Sequence, residues 1–128
     1  NPQGDLYQVR TRVLAPEGAA SSGVLLRDRY NYTRYLRYHL GGPVRNLFSA
    51  GVEDGEDLIR EILAEGPERV VIGRSVRETP AYMYHYTDED MEAWEARAAE
   101  LFAGAEDLGE GWWGIDARRL AERLSPAP

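Results

Sequence analysis

The stretch from Thr79 to Gly104 constrains the fold most, because it contains the clearest strand and the clearest helix of the chain. Between Pro80 and Thr87, tyrosine occupies every second position, which is the period of a strand with two different faces. Aromatic residues suit such a pleated, half-buried surface. We therefore predict a strand over residues 81–86.

A helix is predicted directly after this strand. Thr87 is the expected N-cap, and the three acidic residues that follow it suit the positive end of the helix dipole. Gly104 supplies a typical stop signal. Between these two residues, apolar side chains recur at helical spacing and predict one buried stripe, which consists of Met91, Trp94, Ala98, Leu101 and Phe102.

The N-terminal part of the chain predicts two strands and a segment with two interpretations. Leu6–Ala15 alternates as a half-buried strand, and Val24–Leu26 is a second strand that we expect to pair with it as a hairpin. The segment Arg27–Leu40 fits a helix or a continued strand, and the helix is favoured because Gly41, Gly42 and Pro43 follow it. One or two short helical turns are then expected as far as Gly51.

The C-terminal part of the chain predicts further helices and strands. Glu53–Glu65 is a predicted helix, and Arg69–Val76 is a predicted strand. We expect this strand to pair antiparallel with the tyrosine strand, and the alternative, that the two are not neighbours, is disfavoured by the four residues between them. Ala105–Gly111 has the composition of a loop, and Asp116 is the expected N-cap of a last helix. Ser125–Pro128 is expected to fray. These elements predict an α+β fold, with a small, mostly antiparallel sheet of three to five strands and helices packed on it.

Length and composition limit the class of protein. The 128 residues suffice for one core, and no repeat or linker divides them, so we predict a single domain over residues 1–128. The absence of cysteine excludes disulfides and thiol catalysis. No apolar run approaches the roughly 18 to 20 residues that cross a bilayer, so we expect no membrane association and a cytoplasmic location. The start at Asn1 leaves N-terminal processing open.

The net charge and the type of cationic residue limit the possible partners. The net charge of −7 disfavours nucleic acid, because phosphate contacts need a basic face. All 15 cationic residues are arginine, which is typical of a GC-rich or thermophilic bacterial genome. Selection for planar recognition of carboxylate or phosphate is the alternative explanation, and it requires the arginines to cluster.

The densest cluster is the segment Arg27–Leu40, which holds four arginines, four tyrosines and one histidine. On a helix, residues three apart project to the same side. Arginine interleaved with tyrosine can bind phosphate, carboxylate or a stacked base, although an amphipathic helix with half-buried tyrosines gives the same pattern. The candidate ligand- or partner-binding residues of this segment are Arg34, Tyr35, Arg37, Tyr38 and His39.

The candidate catalytic residues are His85 and Tyr84, in the tyrosine strand. Histidine titrates near neutrality and can act as an acid, a base or an anion donor, and tyrosine can position a substrate. The same His85 also fits a structural residue satisfied by one hydrogen bond. The fold alone decides whether His85 lies near Arg34 or Arg37.

Other motifs that carry chemistry are absent from the sequence. No spacing indicates a zinc site, a calcium loop, a phosphate-binding loop or a nucleophile elbow, so we expect no metal and no cofactor. The acidic groups at residues 53–57 and 88–90 are interpreted as charges at helix N-termini.

Trp112 and Trp113 are the last candidates for a binding surface. If their segment is extended, their side chains point to opposite faces, and we expect one of them to be exposed, as an anchor for a partner or as the lid of a pocket. The alternative is that both side chains fill gaps in the core.

Two functional hypotheses follow from these residues. The leading one is a non-enzymatic binding or regulatory domain that recognises a protein partner, or a second copy of itself, through a Tyr/Trp/Arg surface. The alternative is a small enzyme or ligand-binding domain that acts on an anionic substrate, one bearing phosphate or carboxylate, with His85 and arginines.

Overall fold

The computed structural model describes residues 22–27, 43–48, 51–79, 86–109 and 111–126. Within these ranges the chain forms five strands and four helices. In chain order they are β1 (Ser22–Leu26), β2 (Val44–Asn46), α1 (Val52–Ala64), β3 (Arg69–Gly73), α2 (Arg74–Arg77), α3 (Asp88–Leu101), β4 (Glu106–Gly109), β5 (Trp112–Asp116) and α4 (Ala117–Arg123).

The strands form one mixed sheet in the order β2-β1-β3-β5-β4. β1 is parallel to β2 and to β3, whereas β5 is antiparallel to β3 and to β4. The predicted α+β class, the strand number and the packing of helices on a sheet are confirmed. The sheet is half parallel, rather than mostly antiparallel, because β2 joins it in the same direction as β1.

The described helices pack on one face of the sheet. On that face Leu25, Val70 and Ile72 belong to the main core, together with side chains from all four helices. Side chains alternate along a strand, so Val24 and Val71 point to the other face, where both are also buried. The core therefore continues on both sides of the central strands, as expected for strands rich in valine and leucine.

The helix boundaries predicted from capping signals are confirmed. The hydroxyl of Thr87 accepts a hydrogen bond from the backbone N–H of Asp90 at 3.1 Å, and the Asp116 carboxylate accepts one from the N–H of Arg119 at 3.1 Å. Gly66 and Gly104 follow α1 and α3 with φ of +77°, a left-handed conformation that favours glycine at helix ends.

Two segments differ from their predicted type. Val44–Asn46 is a strand instead of helical turns, because its backbone pairs with β1 and buries Val44. Glu106–Gly109 is a strand instead of a loop, because it pairs with β5. Both segments are short, and strand pairing outweighs their local composition, with a strand distant in the sequence for Val44–Asn46 and with the next strand, in a hairpin, for Glu106–Gly109.

Neither predicted hairpin is found among the described residues, and the strand predicted over Leu6–Ala15 lies outside them. Parallel neighbours occupy both edges of β1, and β1 and β5 occupy both edges of β3. β3 also ends at Gly73 rather than at Val76, because Arg74–Arg77 forms the short helix α2. Its antiparallel partner is thus the tryptophan strand β5, and the tyrosine strand predicted over residues 81–86 lies outside the described residues except for the exposed Tyr86.

Candidate functional site

One end of the sheet gathers most of the described aromatic residues that are not buried. The parallel strands β1, β2 and β3 end here, and the antiparallel strand β5 begins here, since Gly73 pairs with Trp112. We call this end the carboxyl edge. The two tryptophans of β5 and two arginines of α2 form a patch on it, which we call the edge patch and define as Arg74, Arg77, Trp112 and Trp113.

Trp113 points to the helix-covered face of the sheet. Its ring packs against the main core and remains partly exposed. The guanidinium carbon of Arg77 lies 4.5 Å from the centroid of the ring, within cation–π range. Arg77 makes no hydrogen bond to any described residue, so its planar group is held by the ring while its N–H donors remain available.

Trp112 points to the opposite face, where it packs with Val71 and Leu108. A Cβ added to Gly73 would lie 3.2 Å from two ring carbons of Trp112, so the missing side chain lets this ring lie against the end of β3. The prediction that the two tryptophans face opposite ways is confirmed. Both rings are half-buried, rather than one buried and one exposed.

Helix α2 is fixed from two neighbouring elements. The N–H of Arg74 donates to the carbonyl of Gly111 at 2.7 Å, and the indole N–H of the buried Trp94 donates to the carbonyl of Val76 at 2.8 Å. The side chain of Arg74 forms an exposed ion pair with Glu78 at 3.0 Å. The backbone that carries the patch arginines is therefore ordered by the rest of the molecule.

Arg27, at the end of a sheet strand, also holds helix α2 in place. This side chain is 4% exposed and lies directly after β1. Its Nε donates to the carbonyl of Leu47, and its Nη1 donates to the carbonyl of Ser75 in α2, both at 3.0 Å. The hydroxyl of Ser75 returns a hydrogen bond to the carbonyl of Arg27 at 3.1 Å.

Helix α3 approaches the carboxyl edge through Trp94, whose indole N–H donates to the carbonyl of Val76. Its acidic first turn, with Asp88, Glu89 and Asp90, is exposed and lies about one to two turns before Trp94. Among the described residues, Glu78 brings a carboxylate to the edge patch through its ion pair with Arg74.

A second polar cluster lies among the helices, and we call it the helix clamp. The Glu56 carboxylate, 6% exposed, accepts hydrogen bonds from Arg97 Nη2 at 2.7 Å and from the N–H of Ser125 at 3.2 Å. Arg97 also donates to the carbonyl of Arg123 at 2.9 Å. The clamp joins α1 and α3 to the end of α4, so the prediction that Ser125 frays is wrong.

Burial by itself would raise the pKa of Glu56. The hydrogen bonds from Arg97 and from the Ser125 backbone, together with the positive charge of Arg97, outweigh burial and leave the pKa below its usual range. Glu56 is thus an ionised, paired carboxylate inside the protein. Its interpretation as a charge at the helix N-terminus is corrected, because it lies beyond the first turn of α1, whereas Glu53 and Asp54 lie in the first turn as expected.

The opposite end of the sheet carries two shallow grooves, of about 340 and 260 Å³. Glu68 and Asp116 line both, and the Asp116 carboxylate also caps α4. No group of three or more metal-ligating side chains occurs within the described ranges.

The structure describes only part of the predicted site. Trp112 and Trp113 lie at the carboxyl edge, next to Arg74 and Arg77, which the sequence did not single out. No local pattern links Arg77 to Trp113, because strand pairing brings them together. Seven predicted site residues lie outside the described residues, namely Arg34, Tyr35, Arg37, Tyr38, His39, Tyr84 and His85.

Comparisons with protein-family models, with curated proteins and with solved structures found no match to this chain. Among the helices in the described ranges, none has the length and apolar character needed to cross a membrane. The function proposed below therefore rests on the geometry of the edge patch.

Proposed function

We propose that this chain is a non-enzymatic binding domain that recognises a protein partner through the edge patch. One observation carries the proposal: Arg77 lies 4.5 Å over the partly exposed ring of Trp113 and makes no hydrogen bond to a described residue. A guanidinium in this position is already oriented, so a partner that binds it loses less conformational entropy.

The residue types of the patch support a protein partner. Tryptophan and arginine are enriched among the residues that contribute most to binding at protein interfaces. The patch presents two tryptophans and two arginines on a backbone fixed by hydrogen bonds. The exposed Phe48, just after β2, adds an aromatic side chain at the same edge, about 14 Å away by the spacing of three strands.

The charges around the patch favour a protein partner over a polyanion such as nucleic acid. A phosphate backbone at the patch would meet the exposed carboxylate of Glu78, and the whole chain carries a charge of −7. Nucleic-acid binding needs a continuous basic face. Tryptophan rings beside charges of both signs suit a protein surface instead.

Native mass spectrometry of the tagged protein, isolated gently from its own host, tests the proposal. We expect the wild type to retain a protein partner or a second copy, and Arg77→Ala and Trp112→Ala to lose it. Arg118→Ala is the matched control, because Arg118 is an exposed arginine at the other end of the sheet. Equal retention by all four proteins would contradict the proposal, and so would losses that occur only together with unfolding.

The alternative is a domain that binds or converts a small anion. The parallel order β2-β1-β3 favours it, since ligands of open α/β sheets bind outside the carboxyl ends of parallel strands. Its predicted residues His85, Arg34 and Arg37 lie outside the described ranges, so it stays a prediction. A phosphate- or carboxylate-bearing molecule retained in the same mass spectra would support it over the protein partner.

A further inference from the structure

We propose that Arg27 is a positioning residue for the edge patch, which it serves through hydrogen bonds from the carboxyl end of β1 to the residues that follow β2 and β3. The inference rests on the proposed function for its biological role. Its geometry is tested without any partner, so either proposal can fail alone.

The location of Arg27 follows from the topology. β1 lies between β2 and β3, and all three are parallel. The chain leaves β1 to reach β2 on one side, and it leaves β3 to enter α2 on the helix-covered face. Arg27 therefore lies at the carboxyl ends of three neighbouring parallel strands.

The Arg27 side chain is buried at these strand ends. Its guanidinium donates to the carbonyl of Leu47, after β2, and to the carbonyl of Ser75, after β3. With its own position after β1, Arg27 joins the ends of all three parallel strands. The return bond from the Ser75 hydroxyl closes a two-way link between β1 and α2.

This link reaches the patch through a single helical turn. Ser75 and Arg77 both belong to the four-residue helix α2, and the side chain of Arg77 lies on Trp113. Trp94 and Gly111 hold the neighbouring residues of α2 from the helices and from the end of the sheet. Arg27 adds a contact from the carboxyl end of β1 to α2.

Lysine cannot replace this guanidinium. The two hydrogen bonds leave from Nε and Nη1 in directions fixed by a planar group, whereas an ammonium is a compact charge on a flexible stem. In Arg27→Lys we therefore expect α2 to shift and the Arg77 guanidinium to leave the ring of Trp113, while the helices remain folded.

The experiment is NMR of the free protein. Protons on the side chain of Arg77 lie over an indole ring, so they resonate upfield, and Trp113→Ala identifies this shift. We expect Arg27→Lys to reduce the shift at least twofold. Arg45→Lys should leave it unchanged, because the Arg45 of β2 pairs with Glu61 and Glu65 of α1, away from the patch.

The buried methyl groups of Ile59 and Ile62 report whether the core remains folded. If Arg27→Lys unfolds the protein, Ser75→Ala replaces it, since this variant removes only the return hydrogen bond, and it should still reduce the Arg77 shift. An unchanged shift in a folded Arg27→Lys or Ser75→Ala protein would overturn the positioning role.

Discussion

Two arginine side chains of this protein, Arg97 and Arg77, have opposite roles. In the helix clamp, Arg97 donates to Glu56, to Glu100, to Ser125 and to the backbone of Arg123. In the edge patch, Arg77 rests on Trp113 and donates to no described residue. A guanidinium with its donors satisfied inside the molecule maintains the fold, whereas one held only through its face can still bind something else.

The comparison shows what distinguishes a structural polar cluster from a binding surface. Residue type does not distinguish the two, because both regions combine arginine with neighbouring carboxylates. Burial and internal hydrogen bonds distinguish them: Glu56 is 6% exposed and accepts hydrogen bonds from Arg97 and Ser125, while both patch tryptophans are partly exposed. We therefore expect clamp substitutions to change stability and patch substitutions to change binding.

The largest effect is expected for Glu56→Ala. This change leaves Arg97 without its buried counter-charge, which typically costs about 3 kcal/mol of unfolding free energy. Asp57→Ala is the control, because it removes an exposed ion pair with Arg60 that is worth less than about 1 kcal/mol. Urea unfolding at neutral pH measures both, and equal losses would remove the distinction between clamp and surface.

A pair of glycine substitutions compares the packing of the two regions. A Cβ at Gly55 would overlap the ring of the buried Trp94, so Gly55→Ala should cost about 2 kcal/mol although alanine favours helices. Gly73→Ala, whose Cβ would lie 3.2 Å from the half-exposed ring of Trp112, should cost less because that ring can move. Thermal unfolding shows which variant loses more stability, and a larger loss in Gly73→Ala than in Gly55→Ala would contradict the prediction.

The ionised clamp also predicts how stability depends on pH. The pKa of Glu56 is lower in the folded protein than its ordinary value of 4.5, so its contribution is fully present above that value and is lost as the pH falls through the folded pKa. The stability difference between the wild type and Glu56→Gln should therefore shrink on acidification. Urea unfolding from about pH 6 to about pH 3 measures it, and a constant difference would exclude the ionised pair.

The smallest stability effect is expected in the patch. Arg77→Ala removes one partly exposed cation–π contact, so it should lower the unfolding free energy by less than about 1 kcal/mol. The same urea series measures this change. A loss as large as that of Glu56→Ala would show that Arg77 belongs to the fold rather than to a binding surface.

The sequence predicted the parts of the fold that local signals encode. Thr87, Asp116 and Gly104 marked helix ends correctly, because capping and left-handed glycine depend on adjacent residues. β2 and β4 were missed, because their three or four residues become strands only by pairing with β1 and β5.

The candidate site was predicted only in part for the same reason. The adjacent tryptophans were visible in the sequence, but Arg77 reaches Trp113 through the pairing of β3 with β5 and the turn of α2. Glu56 lay within a group read as exposed helix charges, and its burial follows from the packing of α3 and α4 against α1. Contacts between distant elements decided both roles.

The most direct test of the edge patch as a binding surface is native mass spectrometry of the Arg77→Glu protein from its own host, with its melting temperature measured in parallel. We expect a protein partner, present with the wild type, to be absent from Arg77→Glu while the melting temperature stays close to that of the wild type. A partner retained at wild-type level by this folded variant would contradict the account.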